Sequence, residues 1–131
     1  MPEIKDKKKL KSFLISIFRN ENVEFKSVSY VFCKDSYLLK LNQEYLNHNT
    51  LTDILTFTLS NNGSAIDAEI YISLERVREN AISFKISYQL ELLRVMIHGI
   101  LHLCNYSDRT PNKKALMREK ENYYLSLLGF T

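Results

Sequence analysis

The 131-residue chain contains only two cysteines, Cys33 and Cys104, too few for a disulfide framework and not spaced as a CxxC pair. A disulfide-stapled secreted domain is therefore excluded, and a reducing, cytoplasmic location is expected. No stretch of about 20 apolar residues occurs, so no membrane-spanning helix is expected. Internal repeats and low-complexity tracts are also missing, which excludes solenoids and biased linkers. A strong excess of one charge is lacking too. Against 15 Asp and Glu stand 18 Lys and Arg, a formal charge of +3 and a pI near 8.8. That balance permits a nucleic-acid partner without demanding one.

What is present is a composition 45% hydrophobic, enough for one domain over residues 1–131 with its own core and no linker. The basic start followed by apolar residues has the outline of a signal peptide. However, Leu10, Phe13, Leu14, Ile17 and Phe18 recur at helical spacing, and Ser12, Ser16 and Arg19 break the run, so an amphipathic helix is the reading. Val23, Phe25, Val28, Tyr30 and Phe32 alternate with one slip, predicting a strand with a bulge. Asp35 can cap a helix running to about Leu46, with Leu38, Leu39, Leu41 and Tyr45 inward, before a polar loop over 47–50. Two neighbouring strands follow, Ile54–Leu59 and Ile66–Ser73, joined by turn chemistry at Asn61, Asn62 and Gly63. A short helix from Leu74 to about Ala81 comes next, then a longer one from Ser87 or Tyr88 through Leu103. Thr110 and Pro111 open a final helix in which Leu116, Tyr123, Tyr124, Leu127 and Leu128 are apolar, with Gly129 just past its end. This order predicts a small mixed sheet with helices packed over it, of the α+β class.

The chemistry concentrates in ELLRVMIHGILHLCNYSDRT. His98 and His102 are four apart on a predicted helix, so both imidazoles leave the same face and reach one metal ion. Asn105 tolerates the left-handed conformation that ends a helix, which lets the chain turn and return Asp108 to the histidines. Two imidazoles and a carboxylate leave the fourth tetrahedral position for water, as in a catalytic zinc site at a helix end. Water there is acidified and becomes the nucleophile. The same stretch resembles the zincin signature HExxH, but Gly99 stands where the glutamate base belongs, which disfavours a protease. Gly99 costs a helix roughly 1 kcal/mol relative to Ala, so close packing or room for a ligand is expected there. Cys104 points away from the histidine face and is read as core.

His98, Gly99, Leu101, His102, Leu103, Tyr106 and Asp108 together resemble the pattern HGxLHLxGYxH of the YbeY family of ribosomal RNA maturation factors. Upstream, Leu41, Asn42, Tyr45, Thr52, Asp53, Ile54, Leu55 and Phe57 resemble a second block of that family, and Ala68, Glu69, Ile70 echo its Gly-Asp-Ile. The resemblance implies a zincin-like fold and a metal-dependent endoribonuclease specific for single strands. It also implies a role in small-subunit rRNA 3′-end maturation and ribosome quality control, one Zn2+ as cofactor, and rRNA, ribosomal proteins and an assembly GTPase as partners. Histidine and carboxylate ligands suit other divalent metals as well.

The chain departs from the family at three places. Asp108 replaces the usual third histidine, adding a negative charge; Leu46 replaces a basic residue of the upstream block; and Asn105 replaces glycine. Candidates to supply the missing cation or line an RNA cleft are His48, Arg109, Lys113 and Lys114. Thr52 and Asp53 either line the cleft or simply turn the chain. Glu91 and Arg94, one turn apart, read as a helix-face ion pair, with support of the metal ligands from behind as the alternative, and the run Lys5, Lys7, Lys8, Lys9 and Lys11 as a solvated helix face, with RNA contact as the alternative. The rival to a nuclease is a zinc-stabilised ribosome-assembly factor with little intrinsic activity, which the loss of the basic residue at Leu46 favours.

Overall fold

The computed structural model describes residues 7–46, 52–60 and 65–130, with residues 45, 46 and 60 described by backbone alone. Helix α1 (Lys7–Asn20) buries Leu14, Ile17 and Phe18, positions i, i+3 and i+4 of one apolar stripe. Strand β1 (Phe25–Cys33) carries the predicted irregularity as a register shift between Phe25 and Ser27. Helix α2 (Asp35–Leu46) follows. Asp35 does not cap it; its carboxylate accepts a 2.5 Å hydrogen bond from the Ser73 hydroxyl and pairs with Arg76 at 2.9 Å. These bonds tie the start of α2 to the end of the sheet.

Strands β2 (Ile54–Ser60) and β3 (Ile66–Ser73) pair antiparallel, and β1 joins β3 in parallel, giving the order β1-β3-β2. The expected mixed sheet is present; the turn predicted at 61–63 lies outside the described residues. Helix α3 (Leu74–Phe84) is capped by the Ser73 hydroxyl and continues three residues past Ala81. It ends on Lys85 at φ 59°, a left-handed position taken without glycine or asparagine. Helix α4 (Tyr88–Leu103) starts on a Ser87 cap, and α5 (Pro111–Leu127) on a Thr110 cap with Pro111 in its first turn. Past α5, Gly129 at φ 93° closes a Schellman turn through Gly129 N–H to Ser126 O and Phe130 N–H to Leu125 O, both 3.0 Å.

One sheet face, Ala68, Ile70 and Ile72, is fully buried. Against it lies α4, whose buried Leu93, Val95, Met96, Ile97, Ile100 and Leu101 leave it apolar on most sides, as suits a helix surrounded by other elements. Helices α1, α3 and α5 pack around α4. On the opposite sheet face sits α2, with the ring centroids of Tyr37 and Tyr71 6.4 Å apart. Gly99 explains how closely α4 approaches the sheet: a Cβ there would meet Ile54 Cδ1 at 2.9 Å and Ile70 Cγ2 at 3.1 Å. Close packing, rather than room for a ligand, is why glycine occupies this helix position.

Candidate metal centre

The central helix α4 carries His98 and His102 on one face, their ring centroids 4.5 Å apart. Its end is fixed by Asn105 at φ 73°. Asn105 N–H donates to His102 O and Tyr106 N–H to Leu101 O, both at 3.0 Å, a Schellman turn that needs a left-handed residue at this position. The turn returns the chain, and Asp108 Oδ2 comes to 3.6 Å from His98 Nε2 and 3.7 Å from His102 Nε2. Ligand atoms at ~2.1 Å from a tetrahedral ion stand about 3.4 Å apart, so the spacing fits one ion between them. All three donors lie within 4.8 Å of one another and could hold a metal ion. Asp108 is the exposed member, its side chain 43% accessible, so the site opens towards solvent on that side.

Behind His98 stands a group that sequence reasoning missed. Glu121 of α5 has a nearly buried side chain, and its Oε2 lies 2.7 Å from His98 Nδ1. That contact puts the ring proton on Nδ1 and leaves the Nε2 lone pair facing Asp108, the carboxylate–histidine relay that orients metal-binding imidazoles. The other oxygen, Oε1, accepts from Arg94 Nη1 at 3.1 Å, with Arg118 Nη1 at 3.7 Å. The signal for Glu121 was available: Met117, Glu121, Tyr124 and Leu125 form the buried stripe of α5, and a carboxylate in an apolar stripe calls for a partner.

The two imidazoles are held differently. Burial disfavours the His98 imidazolium, but the Glu121 hydrogen bond and charge, joined by Asp108 and Asp53, raise its pKa above the ordinary value. Burial and the neighbouring His98 push His102 below it, only partly offset by Asp108.

A cleft of about 260 Å³ opens beside His98 and Asp108, lined also by Asp53, Glu91, Lys114 and Arg118. Thr52 and Asp53 divide the two roles considered for them. Thr52 Oγ1 donates to Ile54 O at 3.1 Å and turns the chain, whereas Asp53 lines the cleft, its carboxyl pKa raised by burial against the opposing pull of His98. Arg109 and Lys113 are exposed and do not line the cleft; Lys114 does. His48 lies outside the described residues. The pairing expected for Glu91 and Arg94 is corrected: Arg94 bonds Glu121, while Glu91 is buried with Oε1 unpartnered. Both residues line the cleft beside the metal centre, so neither sits on a freely solvated helix face.

The model of the endoribonuclease YbeY family matches residues 2–129. This chain belongs to that family. The Flavobacterium psychrophilum endoribonuclease YbeY is 47% identical over 125 residues, 95% of this chain and 89% of the relative. The Amoebophilus asiaticus endoribonuclease YbeY is 43% identical over 110 residues, 84% of this chain and 75% of the relative. The solution structure of protein TM1509 from Thermotoga maritima matches 97% of this chain and 85% of its own, at TM-score 0.64 and 32% identity. The zincin-like α+β architecture read from the sequence agrees with this likeness, with the mixed three-stranded sheet and with the histidine helix packed on it. Among the described residues, no helix is long and apolar enough to cross a membrane.

Proposed function

We propose that this YbeY-family protein is a metal-dependent, single-strand-specific endoribonuclease of the cytoplasm, acting on the 3′ end of small-subunit rRNA and in ribosome quality control. The ribosomal small subunit and its assembly factors are its partners in this reading. The observation that carries it is the convergence of His98, His102 and Asp108 at ion-sized spacing, with Glu121 fixing His98 from behind. These three residues hold one divalent ion, zinc by the chemistry of two imidazoles and a carboxylate. When bound, the ion supplies Lewis acidity at a phosphodiester and lowers the pKa of water to near neutrality. Glu121 keeps the His98 tautomer and ring angle. Lys114 and Arg118 bring positive charge to the cleft, where a phosphate of the RNA backbone would lie. Gly99 offers no carboxylate to act as a base, so peptide hydrolysis of the zincin kind is not part of this reading.

A second reading is a zinc-stabilised assembly factor with little nuclease activity. Its support is the sequence itself: Leu46 stands where the family has a basic residue, and Asp108 adds negative charge at the metal. Elemental analysis and cleavage of a single-stranded RNA, on wild type beside His102→Ala and Asp108→Ala, separate the two. Near-stoichiometric zinc falling in both variants together with cleavage supports the enzyme. Zinc without cleavage in wild type gives the assembly factor, and cleavage by metal-free variants overturns the site.

A further inference from the structure

Phe84 ends α3 and is 58% exposed, although it is a large apolar ring. It lines the cleft beside the metal centre, as does Asn80 one turn before it. Lys85, left-handed at φ 59°, turns the chain immediately afterwards. Among the described residues no other ring and no cation stacks on Phe84, whereas the nearby Tyr88 ring is covered by the Arg78 guanidinium at 4.7 Å. A scattered exposed apolar residue calls for no explanation. A free aromatic ring inside a cleft that also holds cations and a metal centre does.

That cleft lies on α4 between α3 and α5, each of which packs on α4. The α5 side carries Lys114 and Arg118, one turn apart and both exposed. Three of the cleft's carboxylates, Asp53, Asp108 and Glu121, act electrostatically on His98 and so belong to the metal end. At the other end of the floor is Glu91, buried and with Oε1 unpartnered. It lies seven residues before His98, ~10 Å along the helix. Residues 85–87 alone join Phe84 to this first turn of α4.

Building on the reading of this cleft as an RNA site, we propose that Phe84 is the stacking platform for one unpaired base of the substrate, whose phosphates lie along Lys114 and Arg118. An aromatic face beside a basic track is how proteins hold single-stranded nucleic acid. At about 260 Å³ the cleft falls below the ~300–1,000 Å³ of ordinary small-ligand pockets, which limits the occupant to one base rather than a base pair. Stacking on Phe84 requires a free base face, and in a duplex the neighbouring bases cover both faces, so the platform selects single strands. The Asn80 amide and the unpartnered Glu91 oxygen supply polar groups for the edge of that base. Phe84 stands at the end of the cleft away from His98, so it positions a nucleotide flanking the attacked phosphate and does not touch the reacting atoms. A protein partner fits less well. Ile82, 73% exposed, does not line the cleft, which offers one exposed ring among charged groups rather than an apolar patch.

The test is a titration of the zinc-loaded protein with a short single-stranded RNA carrying one 2-aminopurine, read in the cold before cleavage proceeds. Stacking on a ring quenches the fluorescence of that base. Phe84→Ala should abolish the quenching and weaken binding roughly 5- to 150-fold, the range of base–aromatic stacking. Its zinc content and melting temperature should stay as in wild type, because the side chain is exposed. Phe84→Leu keeps apolar cover without a ring and should behave like Ala, whereas Phe84→Trp should restore both signals. Salt separates the platform from the cations: Phe84→Ala should keep the wild-type dependence of affinity on salt, and Lys114→Ala should reduce the slope by about 1. Affinity and quenching unchanged in Phe84→Ala, full binding by Phe84→Leu, or no binding of single-stranded RNA by wild type would each overturn the platform. Wild type that cleaves RNA while Phe84→Ala binds it equally well removes the platform and leaves the nuclease. Binding through Phe84 by a wild type that cleaves nothing supports the platform and removes the nuclease.

Discussion

The two oxygens of Glu121 serve different partners, one the His98 ring and the other Arg94. Replacing Glu121 with Gln keeps the volume but removes the charge and puts an amide where one oxygen accepted. Zinc affinity should fall about 10- to 100-fold, the usual cost of losing a partner behind a metal-binding histidine. Competition with a chromogenic chelator measures this directly. Unchanged affinity would reduce Glu121 to an anchor for Arg94. At this scale, the sequence discloses what is close along the chain. His98 and His102 are one helical turn apart, and Asp108 follows after a turn that Asn105 announces. Glu121 comes from a different helix, 23 residues from His98, so no local spacing connects them. Only its place in the apolar stripe of α5 marks it.

Elements show the same division between signals with a backbone cause and contacts that depend on packing. The caps at Ser87, Thr110 and Gly129 and the bulge in β1 follow from side-chain chemistry and from a slip in period, and all were readable. The end of α3 was not, because Ile82 and Phe84 are exposed and Lys85 adopts φ 59° without a residue type that signals it. Two substitutions test how the helices are held. Asn105→Val places a β-branched residue at φ 73° and should cost about 1–3 kcal/mol in thermal or urea unfolding. Asn105→Gly should stay within a few tenths, since both residues accept the left-handed region. Gly99→Ala recovers roughly 1 kcal/mol of helix propensity but overpacks the sheet, at a cost of about 1–3 kcal/mol. Net destabilisation is expected. It should shrink when Ile54→Val removes the Cδ1 atom that stands 2.9 Å from the added methyl position. A Gly99→Ala protein more stable than wild type would show that α4 does not rest on the sheet through this contact.

Across the whole molecule, Glu21 joins parts of the chain that are far apart in sequence. Just beyond α1, it accepts a 2.6 Å hydrogen bond from the Tyr106 hydroxyl, another from the Tyr124 hydroxyl, and lies 3.4 Å from Lys120 Nζ. It thus ties α1 to α5 and to the turn that positions Asp108. Nothing in the local pattern predicts this, since its partners are 85 to 103 residues away. Burial works against the Glu21 carboxylate, but the two tyrosine hydroxyls and Lys120 outweigh it and hold its pKa below the ordinary 4.5. The unfolded chain therefore binds more protons between the folded value and 4.5, so stability rises with pH through that interval. The contribution is complete above 4.5 and is lost as pH falls through the folded value. Asp53 and Glu91, both raised by burial, act with the opposite sign. A wild-type profile alone therefore mixes these groups, and the difference from Glu21→Gln isolates one of them. Melting temperatures of both proteins between pH 2.5 and pH 7 should differ most at neutral pH and converge in acid. A gap that stays constant to the lowest pH would mean that Glu21 acts by packing rather than by charge, and that the clamp on the Asp108 turn is indifferent to its ionisation.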